Sequence, residues 1–157
     1  MISELRGYAL ILNTANGMFL RALDGVTDEQ ARTTGDGTNS LLWIAAHVVS
    51  VRSSFLRALG GSADVPWAAQ FPRGSDPATV TDWPSLAEVK SRWIAVHAGF
   101  MARLETLTSE DVAKETRVPG LEPTTFGVLG LATVHDVYHV GQLAMCRRRL
   151  GFDRLVG

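Results

Sequence analysis

A chain of 157 residues with 46% hydrophobic content is long enough to bury one substantial core, so we expect a single domain over residues 1–157. Its 15 basic and 16 acidic residues give a net charge of -1, which argues against nucleic acid as a partner. The amino-terminal segment lacks a basic start and contains Arg6, Asn13 and Asn16, so we expect no signal peptide and no membrane span. With a single Cys146, this predicts a protein of the reducing cytoplasm.

Apolar residues recur every three or four positions in the first third of the chain, which is the pattern of amphipathic helices. The first predicted helix covers residues 5–23, with Ser3 as its N-cap. The second covers residues 41–59, with Asn39 or Ser40 as its N-cap, and a Gly-Gly pair follows it.

Two further helices are predicted in the second half of the chain. Ser85 and Glu88 form an S-x-x-E capping box before a third apolar stripe that continues to Leu107. The fourth helix begins near Thr124 or Thr125 and runs to the residue before Gly151. Four long amphipathic helices predict an all-α fold, a four-helix bundle.

The connection between helices two and three, residues 60–84, is far longer than a usual bundle loop. A long crossover is therefore expected between these helices, because a long link lets the next helix start at the far end of the bundle. The segment carries Trp67, Phe71, Arg73 and Trp83. These side chains either overhang a binding site, as a lid would, or simply fix the loop to the surface of the bundle.

Three histidines are predicted to face the same core. His135, His139 and Gln142 fall on one face of helix four, and His47 lies on the inward stripe of helix two. A buried imidazole needs a hydrogen-bond partner, and these faces offer few acids. A shared divalent cation would satisfy all three nitrogens, and the alternative is three core histidines with local hydrogen bonds.

Two segments resemble the signature blocks of the DinB-like family of bundle proteins: SLLWIAAHVVSVRSSFLRALGG around His47, and HDVYHVGQLAMCRRRLG from His135. The blocks have the order and separation of that family, so the resemblance covers nearly the whole chain. It implies a four-helix bundle, often a homodimer, in which one histidine of the second helix and an H-x-x-x-H pair of the last hold a divalent metal. The matching residues are His47, His135 and His139.

The resemblance implies less about the reaction. Some members of the family are S-transferases that use mycothiol or bacillithiol, one type is a mycothiol-dependent isomerase, and many have no assigned activity. We therefore expect a divalent ion, with zinc first and nickel, iron or manganese as alternatives, together with a low-molecular-weight thiol and a small-molecule substrate. The other hypotheses are a metal-dependent hydrolase or isomerase that uses no thiol, and a non-catalytic, stress-related bundle that binds a metal or ligand or keeps the histidines for structure.

Further residues are candidates for the surroundings of the ion or for the substrate site. Gln142 follows His139 by one turn and can orient it, while Trp43 precedes His47 by one turn. His97 can approach the ion as a further ligand or base, and its alternative is an edge histidine with local hydrogen bonds. In the crossover, Trp67 and Arg73 are the substrate candidates.

Helix four has a second apolar face, which carries Val137, Val140 and Ala144 opposite the histidines. A helix that is apolar on both sides must be covered on both sides. Polar residues such as His135 and Asp136 in the same stretch argue against lipid as the cover. The cover is then either the rest of the bundle or another subunit, and because the family that the chain resembles includes homodimers, we expect a homodimer.

Overall fold

In the computed structural model, which describes residues 1–34 and 38–156, the chain folds into α-helices and forms no strand within these ranges. The helices are α1 (Arg6–Ala22), α2 (Asp28–Arg32), α3 (Leu41–Ala58), α4 (Leu86–Thr106), α5 (Ser109–Ala113) and α6 (Thr125–Arg149). The four long ones, α1, α3, α4 and α6, are the helices that the apolar periodicity predicts. The all-α prediction is confirmed.

Three of the four long helices, α3, α4 and α6, begin with a side-chain N-cap. Ser40 accepts a hydrogen bond from the Trp43 amide at the start of α3, and Ser85 and Glu88 form the predicted capping box of α4. Thr124 caps α6 in the same way. The prediction that Ser3 caps the first helix is wrong, because Ser3 lies inside a short 3₁₀ turn and its hydroxyl donates to the neighbouring Glu4 side chain.

Two five-residue helices, α2 and α5, follow α1 and α4. Each begins with a capping box, formed by Thr27 in α2 and by Thr108 in α5. The Asp28 carboxylate of α2 also accepts a hydrogen bond of 2.8 Å from the Leu86 amide, the first residue of α4. The short helix therefore helps to place the beginning of a long one.

The four long helices pack around one core. Helix α6 packs against α1 and α3, and α4 packs against the same two helices from the other side. The largest fully buried side chains are Trp93, Arg52, Phe19, Phe71, Phe100, Leu5, Leu12, Leu23, Leu41, Leu42, Leu56 and Leu104. Arg52 is the charged side chain in this set.

The crossover at residues 60–84 is packed against the bundle by its aromatic rings. Phe71 is fully buried and meets Trp83 edge to face, with 5.7 Å between ring centroids. Trp67 is also buried. The interpretation that aromatic rings fix this loop to the bundle is therefore confirmed for Phe71 and Trp67. This packing places the backbone of Phe71 next to α3.

The outer face of α6 differs from the prediction. Val140 is buried in the core of its own chain, so it does not belong to a second face. The large apolar side chains that face outward on α6 are Val134, Val137, Tyr138 and Met145, each at least half exposed. Among the described residues, no helix combines the length and apolar character needed to cross a membrane.

Candidate metal centre

Three imidazoles meet at the interface of α3 and α6. His47 comes from α3, while His135 and His139 stand one turn apart on α6. One nitrogen from each ring can be chosen so that the three atoms lie within 4.8 Å of one another. The Nε2 atoms of His47 and His135 are 3.3 Å apart, and the ring centroids of His135 and His139 are separated by 4.4 Å. The inward facing predicted from helix periodicity is what brings the three rings together.

Two of the three rings are oriented by neutral acceptors. The Nδ1–H of His47 donates to the carbonyl oxygen of Phe71 in the crossover at 2.8 Å. The Nδ1–H of His139 donates to Oε1 of Gln142 at 2.7 Å, and the amide of Gln142 in turn donates to the Tyr138 hydroxyl. Because a carbonyl oxygen only accepts hydrogen bonds, these contacts place the protons on Nδ1 and leave Nε2 of both rings with a free lone pair.

The surroundings keep the imidazoles of His47 and His139 neutral. Burial lowers the pKa of His47, and burial together with the neighbouring His135 ring lowers the pKa of His139 to about 4. A metal ligand must be an unprotonated nitrogen, so rings with low pKa values bind a metal without first losing a proton near neutral pH. Three imidazoles at this spacing can hold one divalent ion, with coordination positions left for a substrate.

His135 has a charged neighbour that the sequence reasoning missed. Its Nδ1 lies 3.7 Å from Oδ1 of Asp136, whose other oxygen accepts a hydrogen bond from the Arg52 guanidinium of α3. The side chains of Arg52 and Asp136 are both fully buried. A signal for Arg52 was present in the sequence, because it falls on the apolar stripe of α3 between Val48 and Phe55, where a charge is unexpected.

A cavity of about 610 Å³ opens onto the three histidines. Its apolar wall consists of Trp43, Val51, Phe55, Pro119 and Leu131, and its polar wall of Asn39, Arg73, Tyr138 and Gln142. The Trp43 ring stacks on His47 with 5.0 Å between centroids. Among the described residues that line this cavity, Arg73 carries the permanent charge and none is a carboxylate.

Two of the predicted candidates lie elsewhere. Trp67 lines a separate cavity with Trp83 and Arg92, so it does not cover the histidines. His97 is on α4, where its Nε2 contacts the Asn13 side-chain oxygen at 3.0 Å and its Nδ1 lies 3.2 Å from the Arg52 guanidinium. Burial and the positive charge of Arg52 lower the pKa of His97 to about 4. His97 is therefore an edge histidine with local hydrogen bonds, as the alternative interpretation predicts, and it lies outside the histidine cluster.

A family model described as the DinB superfamily matches residues 11–143. The chain belongs to the DinB superfamily. It is 26% identical over 127 residues to the uncharacterized protein YizA of Bacillus subtilis (strain 168), an alignment that covers 79% of this chain and 73% of YizA.

A solved structure has the same fold as this DinB superfamily protein. The crystal structure of a conserved protein from Enterococcus faecalis superposes with a TM-score of 0.75, covering 96% of this chain and 98% of the other. The two sequences are 19% identical, so this likeness concerns the fold alone. His47, His135 and His139 all lie within the segment that the family model matches.

Proposed function

We propose that this DinB superfamily protein holds one divalent metal ion with His47, His135 and His139 and transfers a low-molecular-weight thiol to a small electrophile. The observation that supports this best is the cavity over the three rings. It is large enough for a small organic molecule, it is mostly apolar, and it is lined by the three histidines that could hold the ion. We expect zinc, with nickel, iron or manganese as alternatives, and these residues provide suitable donors for each of them.

The chemistry needs little from the protein besides this arrangement. When bound, a divalent ion supplies a Lewis acid that lowers the pKa of a thiol placed at an open coordination position. The sulfur then forms a bond to an electrophilic carbon, the leaving group departs with its electron pair, and the thiol proton passes to solvent through the open cavity. A lining without a carboxylate among the described residues suits this reaction better than a hydrolysis that relies on a carboxylate as general base.

The cavity walls indicate what the substrates look like. The rings of Trp43 and Phe55 offer apolar contact to the body of the electrophile, while Arg73 can pair with an anionic group on the thiol or on the electrophile. The hydroxyl of Tyr138 and the amide of Gln142 offer further hydrogen bonds. A thiol that carries a carboxylate, such as glutathione or bacillithiol, can pair with Arg73, whereas mycothiol, which has none, would bind through its hydroxyl and amide groups.

The test is transfer to a fluorogenic electrophile. Metal-loaded protein is incubated with mycothiol, bacillithiol or glutathione and with monochlorobimane, whose chloride leaves as the new carbon–sulfur bond forms. We expect at least one of the thiols to react faster with the wild type than with the His135→Ala variant. Cys146→Ser is the matched control, and it should keep the activity because the nucleophile is the added thiol and Cys146 lies outside the histidine cluster.

The outcomes separate the competing functions. Equal rates for wild type and His135→Ala with all three thiols, with the metal still bound to the wild type, would favour the metal-dependent hydrolase or isomerase that uses no thiol. Protein that binds no metal at all would favour the non-catalytic bundle in which the histidines have a structural role. Activity that rises with pH until the bound thiol is ionised is the further signature of the proposed reaction.

We also propose that the protein is a homodimer through the outer face of α6. Val134, Val137, Tyr138 and Met145 form a solvent-facing apolar stripe at helical spacing. Exposed apolar stripes of this kind mark protein contacts. Light scattering coupled to size-exclusion chromatography should give twice the mass of one chain, and Val137→Glu should shift it toward one chain. A wild type that elutes with the mass of a single chain would contradict the dimer.

A further inference from the structure

A buried ion pair lies directly behind one of the three histidines. Arg52 of α3 and Asp136 of α6 contact each other with no exposed side-chain surface on either partner. The Arg52 guanidinium also lies over the rings of Trp93 and Phe100 of α4, at 5.0 and 4.5 Å from their centroids. The pair is therefore fixed from three helices, and the Asp136 carboxylate has little freedom to move.

Besides Nε of Arg52, two polar atoms where Asp136 faces His135 have no hydrogen-bond partner among the described residues. One is Oδ1 of Asp136, since the Arg52 guanidinium donates to Oδ2. The other is Nδ1 of His135. They are 3.7 Å apart, just beyond hydrogen-bond distance. If the two atoms approached each other slightly, a hydrogen bond between them would satisfy both, which buried polar groups need.

The alternative for His135 is a proton on its other nitrogen. A proton on Nε2 can donate to Nε2 of His47, 3.3 Å away, as two ordinary core histidines would do. That arrangement leaves the Nδ1 lone pair facing the Asp136 carboxylate, so two acceptors meet in a buried place. A proton on Nδ1 removes this conflict with a full negative charge and points the Nε2 lone pair of His135 toward that of His47, 3.3 Å away. The contact between these two neutral acceptors is the weaker repulsion, and a shared cation would turn it into an attraction.

We propose that the Arg52–Asp136 pair positions His135 for metal binding: Asp136 accepts the Nδ1–H of His135 and so holds the ring in the tautomer whose Nε2 is a ligand. This role rests on the proposed metal site, although the tautomer exists without an ion. In the other two rings the Nδ1–H has a neutral acceptor, which is the Phe71 carbonyl oxygen for His47 and the Gln142 amide oxygen for His139. Through Asp136 the third ligand has a charged acceptor, which strengthens its nitrogen as a donor to a metal.

The test removes both charges together. Asp136→Leu alone would leave the Arg52 charge buried and unpaired, which is strongly destabilising. The double variant Arg52→Met/Asp136→Leu avoids an unpaired buried charge. Thr133→Val is the matched control, because Thr133 is equally internal on α6 and donates only to the Leu129 carbonyl of its own helix. Circular dichroism and thermal unfolding establish that each variant is folded.

The first measurement uses metal-free protein. Long-range proton–nitrogen correlation spectra in mildly alkaline buffer report which nitrogen of each neutral imidazole carries the proton, and a His135→Ala spectrum assigns the signals. We expect the His135 proton on Nδ1 in the wild type and in Thr133→Val, and a shift toward Nε2 in the double variant. A wild-type proton on Nε2, or an unchanged tautomer in the double variant, would overturn the proposal.

The second measurement is zinc affinity by competition with a chromophoric chelator. We expect the double variant to bind zinc about 10–100-fold more weakly than the wild type, with Thr133→Val unchanged. Equal affinity of the folded double variant and the wild type would overturn the positioning role and leave the metal site intact. A wild type that binds no zinc would instead overturn the proposed function, and the spectra would still decide whether Asp136 sets the tautomer.

Discussion

Replacing Phe71 by alanine should disturb both the stability of the bundle and the metal site. The ring is fully buried, with Trp83 at 5.7 Å and Trp43 at 6.3 Å between centroids. Truncation of a buried phenylalanine costs about 3–5 kcal/mol in the free energy of unfolding. The carbonyl oxygen of the same residue accepts the Nδ1–H of His47, so a loosened crossover also loses the contact that orients this ring.

The expected effect on metal binding follows from that hydrogen bond. Loss of the partner that orients a histidine ligand weakens metal affinity by about 10–100-fold, and we expect the lower end because alanine still carries a carbonyl. Urea denaturation measures the stability of the metal-free protein, and chelator competition measures the zinc affinity. Phe19→Ala is the matched control, since Phe19 is fully buried on α1 and stacks on Trp93 at 4.2 Å, away from the histidine cavity.

The two variants should therefore lose similar stability, and only Phe71→Ala should lose zinc affinity. If Phe71→Ala is destabilised but binds zinc as tightly as the wild type, the crossover only covers the core and does not organise the site. If its stability changes by less than about 1 kcal/mol, the packing described for the ring is wrong.

Two further predictions concern the histidines and their neighbours. The free energy of unfolding of metal-free protein should fall as pH drops from 6.5 toward 4, because His97 takes up a proton near pH 6.5 in the unfolded chain and only near pH 4 in the folded one. Urea titrations at a series of pH values should show a shallower fall for His97→Gln. An identical fall in both proteins would contradict the low pKa of His97. Cu(II) added to metal-free protein should quench the emission of Trp43, which stacks on His47; equal quenching in His47→Ala would place the copper elsewhere.

Much of the fold follows from the sequence because its signals are local. Apolar spacing within a helix and capping residues such as Ser85 and Thr124 act over a few residues, so the long helices and their starts could be predicted. The exception is Ser3, which resembles a cap in the sequence but enters a 3₁₀ turn. The shared facing of His47 with His135 also follows from helix periodicity, once two helices are expected to pack.

The rest depends on contacts between distant parts of the chain. Arg52 and Asp136 are 84 positions apart, and a charged residue on a helix is ordinarily exposed. Their buried pairing could not be predicted, because it depends on how α3 packs on α6. The same holds for the Phe71 carbonyl, because its place at His47 depends on the conformation of a long loop. His97 is a candidate from the sequence because it lies near the apolar stripe of its helix, and only the fold shows that Asn13 and Arg52 are its neighbours.

The most direct test of the account is the metal content of protein purified without an affinity tag or a chelator. Elemental analysis should find about one divalent ion per chain in the wild type and in His97→Ala, whose imidazole lies outside the cluster. His139→Ala should contain almost none after the same purification. Equal metal content in wild type and His139→Ala would contradict the assignment of His47, His135 and His139 as the ligands.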